Sequence, residues 1–285
     1  MKIGKYELKA IQTGMFGLDG GAMFGVVPKP LWQKYNPSDE QNRITLGART
    51  LLLDAGKRKI LIDTGLGDNW DEKFKQIYKI EQPDKPIITA LKKENLSAYD
   101  ITDVILTHLH FDHTGGSTSY VEGKWIPTFQ NATYYIQRKH FEWAIKPVEK
   151  DRASFIQNRF FPLQEAGVLK LLEEDEFDNE IELIVLNGHT FSQQMIKISD
   201  SSKTLVYCGD LLPTSTHIPL PYVMGYDLQP LVTIEEKKKL YSNALNENWY
   251  LFFEHDPKVV AATITDTNKG FILKDVFTEL PIDRR

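Results

Sequence analysis

Short runs of apolar and β-branched residues recur along the chain, and most of them end in polar or glycine-containing segments. Runs of this length and composition predict buried strands. We predict strands over residues 6–13, 44–53, 59–64, 101–107, 132–136, 180–186, 195–199, 204–208 and 250–253. Helices are predicted over residues 71–80, with Asp71 as the N-cap, and over residues 86–95 and 137–145. The alternation of strands with helices favours an α/β fold.

Two segments depart from this pattern. Residues 14–25 are rich in glycine, so we expect neither a helix nor a strand interior there, but a loop that reaches toward the functional site. Met23 and Phe24 are candidates for an apolar wall around a ligand, although they could equally pack the loop onto its own domain. Residues 155–172 combine a proline, paired aromatic residues and apolar periodicity, which predicts a helical insertion near residues 140–175 that covers the site.

The densest chemistry lies in residues 107–116, Thr-His-Leu-His-Phe-Asp-His-Thr-Gly-Gly. This segment follows a predicted strand and ends in two glycines that indicate a turn, so its side chains leave the carboxyl end of a strand, where α/β sheets place their sites. Neutral imidazole and carboxylate suit Zn²⁺ and similar metal ions. A single ion cannot easily use four ligands from so short a segment, whereas two ions can share them. The alternative is a polar surface loop without a metal role. It would require three of the seven histidines of the chain to fall together in this short segment by chance.

Three further ligand types follow predicted strands later in the chain: His189, Asp210 and His255. Each is a weak signal alone, but three at successive strand ends indicate one shared site. The Asp-Thr-Gly sequence at Asp63 also ends a strand, and we expect Asp63 to orient a ligand or a loop amide.

The His-x-His-x-Asp-His pattern after a strand resembles the signature of the metallo-β-lactamase superfamily of hydrolases, and the order cluster, histidine, aspartate, histidine matches that family over most of the chain. The resemblance implies a four-layer αββα sandwich of two mixed β-sheets with helices on the outer faces, formed by residues 1–285 as one domain of two similar halves. It implies two divalent metal ions, zinc first, with iron, manganese or cobalt as alternatives. The implied ligands are His108, His110 and His189 for one ion, Asp112, His113 and His255 for the other, and Asp210 bridging both.

Two metal ions held in this way would lower the pKa of a bridging water from about 15.7 toward about 7, so that hydroxide can attack a lactone or ester carbonyl at neutral pH. We expect Asp112 to be catalytic by passing a proton to the leaving alkoxide. Within the superfamily the chain resembles the N-acyl homoserine lactone lactonases, through residues 19–25, the motif itself and Phe-Glu-His-Asp-Pro at residues 253–257. The predicted substrate contacts are Met23, Phe24, Phe111, His217 and Tyr222.

One position departs from the lactonase pattern. These lactonases carry a tyrosine three residues after the bridging aspartate, and here that position is Pro213. Tyr222, Tyr226 or His217 could replace the missing hydroxyl, and His217 could equally be an ordinary loop histidine.

Several other functions are compatible with the same metal-binding residues. A thioesterase of the glyoxalase II kind would need basic residues to hold glutathione, and no such cluster stands out; phosphotriester or phosphodiester hydrolysis is also compatible with two metals. Redox members of the family usually replace the second histidine of the motif with glutamate and carry a flavin domain, whereas this chain has His110. A non-catalytic metal-binding protein on this fold would be expected to lack ligands, and all seven are present.

The composition of the chain limits the classes of binding partner that we expect. A net charge of −5 and a pI of about 5.8 argue against a nucleic-acid surface. The single cysteine, Cys208, excludes an intrachain disulfide and is expected to be a small core residue, while His140 is expected to be structural or exposed. The chain shows neither a signal-peptide pattern at its start nor an apolar run long enough to span a bilayer. We therefore expect a cytoplasmic protein with a small-molecule substrate and no nucleic-acid or membrane partner, with a homodimer left open.

Overall fold

The computed structural model describes residues 1–173 and 176–282. The strands are β1 (Lys2–Ile3), β2 (Tyr6–Asp19), β3 (Arg43–Ala55), β4 (Arg58–Ile62), β5 (Asp103–Ile105), β6 (Thr118–Val121), β7 (Lys124–Pro127), β8 (Thr133–Gln137), β9 (Leu169–Leu172), β10 (Glu176–Asp178), β11 (Ile181–Leu186), β12 (Gln193–Ser199), β13 (Thr204–Tyr207), β14 (Tyr250–Phe252), β15 (Ala261–Thr267) and β16 (Gly270–Phe277). The helices are α1 (Gly20–Phe24), α2 (Lys29–Trp32), α3 (Glu72–Ile77), α4 (Pro86–Lys93), α5 (Phe111–Thr114), α6 (Arg138–Ile145), α7 (Phe161–Glu165) and α8 (Pro230–Glu247).

Two seven-stranded sheets form the centre of the molecule. The first has the order β1-β2-β3-β4-β5-β8-β9, and the second has the order β10-β11-β12-β13-β14-β15-β16. The first sheet is antiparallel up to β4 and parallel from β4 to β9. In the second, β13 and β14 are parallel and the other pairs antiparallel. Both sheets are therefore mixed, as predicted.

Alternating side chains of the strands build the layers. In the first sheet Leu61 packs toward α4 and α6, whereas its neighbour Ile60 packs toward the second sheet. In the second sheet Val206 packs toward α8, and Leu205 packs toward the first sheet. Because successive strand residues point to opposite faces, strands with both faces covered must be apolar almost throughout. The predicted αββα sandwich is confirmed.

The prediction for residues 14–25 was wrong. Strand β2 continues through this segment to Asp19 because β3 pairs with it over its whole length, and α1 then follows. The Asp19 side chain accepts a hydrogen bond from the Ala22 amide at 2.8 Å and so caps α1. Gly14 is needed for close packing within the strand, since a Cβ there would lie 2.6 Å from the Gln82 side chain.

The predicted helical insertion is only partly helical. Residues 152–154 and 157–159 form single 3₁₀ turns, α7 follows, and residues 169–172 are the edge strand β9 rather than helix. Gly167, which has a φ of 71°, separates α7 from the strand, and alternating burial replaces the helical period after it. Residues 174–175 of the predicted insertion lie outside the described part of the chain. Asp71 does cap α3, accepting from the Phe74 amide at 2.7 Å. Within the described residues, no helix combines the length and the apolar character that crossing a bilayer requires.

Candidate metal centre

The seven predicted ligands lie together at one edge of the sandwich, although they come from four separate segments. His108 and His110 follow β5, and Asp112 and His113 lie on the short helix α5. The other three follow later strands: His189 after β11, Asp210 in a 3₁₀ turn after β13, and His255 after β14. All seven side chains are buried, and they form two clusters of mutually close ligand atoms.

The first cluster consists of His108, His110, His189 and Asp210. The His110 Nδ1 atom lies 3.0 Å from His108 Nε2 and 3.1 Å from His189 Nε2. Asp210 faces this cluster with one oxygen, since its Oδ2 atom is 3.1 Å from His189 Nε2.

The second cluster consists of Asp112, His113 and His255. The two histidines present their Nε2 atoms to each other at 3.2 Å, and Asp112 Oδ2 lies 3.7 Å from His255 Nε2. The other Asp210 oxygen, Oδ1, faces this cluster, at 3.6 Å from His113 Nε2 and 3.4 Å from His255 Nε2. Asp210 therefore lies between the two clusters with one oxygen toward each.

The polar atoms of both clusters fit bound cations. Asp210 Oδ1 is buried without a hydrogen-bond partner anywhere in the described chain, which is costly unless an ion satisfies it. Burial, followed by the charges of neighbouring histidines, lowers the pKa of His108 and His110 well below the ordinary value, so these rings are neutral. Neutral imidazoles with converging lone pairs, beside a carboxylate, are the donor set that zinc and similar ions use.

Two carboxylates support the second cluster from behind. Asp63 accepts hydrogen bonds from the Thr107 amide and hydroxyl, both at 2.7 Å, and its Oδ2 atom lies 3.0 Å from His113 Nδ1. The predicted orienting role of Asp63 matches this contact. Glu254 Oε2 also lies 3.0 Å from the same ring nitrogen, a contact that sequence reasoning missed although Glu254 directly precedes His255. Burial opposes protonation of His113, but the charges of Glu254 and Asp210 prevail and raise its pKa well above the ordinary value.

A third carboxylate, on Asp227, orients the first cluster. Its Oδ1 atom lies 3.0 Å from His189 Nδ1, and its Oδ2 atom accepts from the Met224 amide. The Lys150 ammonium donates to the carbonyls of Gly225, Tyr226 and Asp227 at 2.8–2.9 Å and so holds this loop in place. Sequence reasoning missed both residues, because nothing local marks an aspartate or a lysine as the partner of a distant loop.

Arg159 fastens the glycine end of the motif. Its guanidinium lies between the rings of Trp70 and Trp125, 3.9 and 4.3 Å from their centroids, and donates to the carbonyls of Gly115 and Asp68. Two loops cross here with no room for side chains, since a Cβ on Gly115 would lie 1.8 Å from the Leu66 carbonyl oxygen. The two glycines of the motif thus allow a backbone crossing that fixes α5.

The predicted substrate contacts lie in an apolar cluster beside the metal centre: Met23, Phe24, Phe111, Tyr222 and His217. Met23 and Phe24 are 1% and 0% exposed, and Phe24 stacks on His217, so in this conformation they pack their own segment. His217 donates from Nε2 to the Met23 carbonyl at 2.9 Å and accepts from the Thr214 hydroxyl at 2.8 Å. Both nitrogens of His217 therefore already have protein partners, and contact with a ligand stays a prediction for these side chains.

Two phenols lie within electrostatic reach of Asp112. Burial raises the pKa of Tyr226 and of Tyr78, and the charge of Asp112 raises both further. Pro213, at the position of the lactonase tyrosine, only accepts a backbone hydrogen bond from His255. Of the residues considered for the missing hydroxyl, Tyr226 is influenced by the charge of Asp112 and His217 by the charge of Asp210.

His140 and Cys208, expected to be structural or exposed and a small core residue respectively, both lie in the interior. His140 is buried and structural: its Nε2 atom accepts from the Leu109 amide at 2.9 Å, and its Nδ1 atom donates to the Phe191 carbonyl at 2.7 Å. Cys208 is a buried core residue of the layer between the second sheet and α8, and it belongs to neither ligand cluster.

Comparison with known proteins agrees with this geometry. The profile of the metallo-beta-lactamase superfamily matches residues 45–264, and the chain belongs to that superfamily. An N-acyl homoserine lactonase of Bacillus cereus is 25% identical over 229 residues, spanning 75% of this chain and 83% of that protein. A probable metal-dependent hydrolase from Staphylococcus aureus superimposes with a TM-score of 0.86 at 30% identity, covering 97% of this chain and 100% of the other. The dizinc quorum-quenching lactonase AidC, solved with a product bound, superimposes with a TM-score of 0.79 at 20% identity, covering 96% of both chains.

Proposed function

We propose that this protein is a dinuclear metal-dependent hydrolase that opens N-acyl homoserine lactones or closely related lactones. The observation that carries the proposal is the position of Asp210, whose two carboxylate oxygens face different ligand clusters. A carboxylate shared in this way is suited to hold two ions close together. The names of the curated relatives, which are N-acyl homoserine lactonases, support a lactone as substrate.

In this proposal His108, His110 and His189 hold one ion, Asp112, His113 and His255 hold the other, and Asp210 bridges them. Two bound divalent cations, with zinc expected first, would supply a nucleophile at neutral pH and polarise the lactone carbonyl.

The chain itself supplies orientation and proton transfer. Asp227 and Asp63 fix the rings of His189 and His113 from behind through hydrogen bonds, and the charge of Glu254 lies beside His113. Asp112 lies at the outer side of the second cluster with Oδ2 3.7 Å from His255 Nε2, where its carboxylate can carry a proton to the departing alkoxide oxygen. We expect the Tyr226 hydroxyl, which is influenced by the charge of Asp112, to donate a hydrogen bond to the lactone.

A substrate panel tests the proposal. Metal-loaded protein is incubated with short- and long-chain acyl homoserine lactones, simple γ- and δ-lactones, a glutathione thioester and a phosphotriester, and acid release is followed with and without a chelator. We expect chelator-sensitive turnover of the lactones, reduced by roughly two orders of magnitude or more in Asp210→Asn. The matched control is Asp266→Asn, an exposed aspartate on β15.

Turnover confined to the thioester or the phosphotriester would replace the lactone in this proposal while keeping the two-ion site. Metal binding without turnover of any member of the panel would favour a non-catalytic metal-binding protein.

A further inference from the structure

A second cavity lies beside the metal centre but does not include it. Its volume is about 790 Å³, which is within the range of small-molecule sites, and none of the seven proposed ligands lines it. Its wall combines the segment after α2, the loop after Asp210, the loop after His255 and strand β16. The proposed metal ligands therefore do not account for this cavity.

The lining is mainly apolar. Val259, Phe271, Ile272 and Leu273 contribute aliphatic or aromatic surface, and Tyr35, which is 74% exposed, stands at the opening. A concave apolar surface of this size normally buries a ligand with a substantial hydrocarbon part. A purely polar ligand would leave most of this wall without partners.

The two charged side chains in the lining, Asp256 and Lys258, differ in whether they are free to pair with a ligand. The Asp256 carboxylate is already saturated, because it accepts from the amide and hydroxyl of Ser215 and from the amides of Lys258 and Val259 at 2.5–3.0 Å. The ammonium of Lys258 has no ion pair or hydrogen bond with any described residue, and it is exposed at the wall. The cavity thus offers one available charge, and that charge is positive.

We propose that this cavity is a binding site for a medium-chain aliphatic carboxylate, with the hydrocarbon chain against Val259, Phe271 and Leu273 and the carboxylate on Lys258. Apolar volume and a single available cation are complementary to an amphipathic monoanion. The site shares no metal ligand with the proposed hydrolytic centre, and Tyr222 is its one lining residue that is also a predicted substrate contact.

The experiment maps where the ligand binds and also measures how tightly it binds. Metal-loaded full-length protein is labelled with a photoreactive dodecanoate that carries a diazirine in the chain, with and without excess dodecanoate, and the labelled peptides are mapped by mass spectrometry. Binding of dodecanoate and of dodecanol is measured in parallel by titration calorimetry. The variants are Lys258→Gln, Leu273→Trp to fill the cavity, and Lys274→Gln as a control on the same hairpin outside the lining.

We expect competable labelling at the cavity residues, which Leu273→Trp abolishes. Lys258→Gln should weaken dodecanoate about fivefold or more while dodecanol and the Lys274→Gln control stay unchanged. Labelling confined to residues 107–117 would assign the carboxylate to the metal centre and overturn the proposal. Equal losses for dodecanoate and dodecanol in Lys258→Gln, or a dimer that covers Tyr35 and excludes the probe, would also overturn it. Because Lys258 is exposed, its variant decides the matter even if Leu273→Trp does not fold.

Discussion

Asp210 and His189 meet at 3.1 Å, between Oδ2 and Nε2, while the other oxygen of the same carboxylate turns toward His255 at 3.4 Å. The proposed two-ion site rests on this division of one carboxylate between two ligand clusters. It also explains why Asp210 Oδ1 has no hydrogen-bond partner among residues 1–173 and 176–282, since a cation is the natural occupant of that position.

Asp227 should control how tightly the first cluster holds its ion. Asp227→Asn removes the charged acceptor at 3.0 Å from His189 Nδ1, so we expect metal affinity to fall by about 10- to 100-fold. Competition with a fluorescent chelator measures this change, with Asp266→Asn as the control. An unchanged affinity in Asp227→Asn would show that His189 needs no orienting partner.

Arg159 should stabilise the fold around the motif. Arg159→Met leaves the carbonyls of Gly115 and Asp68 without their donor and removes the cation between two tryptophans, so we expect a loss of about 2–4 kcal/mol in the free energy of unfolding. Chemical denaturation measures the loss. Arg152→Met, which removes an exposed arginine, should change stability by less than about 0.5 kcal/mol. Equal effects of the two substitutions would contradict the role of Arg159.

His217 should contribute stability that disappears in acid. Burial lowers its pKa from 6.5 to about 4, so the folded chain binds fewer protons at this ring than the unfolded chain between those pH values. Its contribution is therefore complete above pH 6.5 and is lost as the pH falls toward 4, with an upper value on the order of 3 kcal/mol.

The stability difference between the natural sequence and His217→Gln should accordingly be largest at pH 7 and should shrink at pH 4.5. Denaturation curves at the two pH values measure it. A difference that stays constant would mean that His217 keeps its ordinary pKa in the folded protein.

Tyr226 should matter more for turnover than Tyr222. Burial raises the pKa of the Tyr226 phenol and the charge of Asp112 adds to the shift, whereas the Tyr222 ring packs at right angles to Phe24 with 6.2 Å between the ring centroids. We expect Tyr226→Phe to lower kcat/KM for a lactone roughly tenfold, the cost of one hydrogen bond, and Tyr222→Phe to change it less. The reverse order would move the substrate contact to Tyr222.

The fold and the ligand positions follow from local signals. Strands covered on both faces are apolar throughout, and the ligands follow those strands directly, so a linear pattern marks both. Residues 14–25 could not be predicted in the same way, because Gly14 and Gly17 serve close packing against residues 79–82 and the strand character of residues 14–19 depends on pairing with β3.

No local sequence pattern marks the residues that orient the metal ligands. Lys150 and Lys237 hold the loop after Asp210 by donating to backbone carbonyls. Because every residue has a backbone carbonyl, the sequence does not mark which carbonyls a lysine will bind. Asp227 is a partner of His189 only because that loop folds back over the first cluster. Contacts of this kind are set by tertiary structure alone.

Metal content per chain tests the central claim most directly. The protein is purified with zinc, dialysed against metal-free buffer and analysed by plasma mass spectrometry beside Asp210→Asn and Asp266→Asn. We expect two equivalents of zinc in the natural sequence and in Asp266→Asn, and at most one tightly held equivalent in Asp210→Asn. A single equivalent in the natural sequence, or two in Asp210→Asn with unchanged affinity, would contradict a dinuclear centre bridged by Asp210.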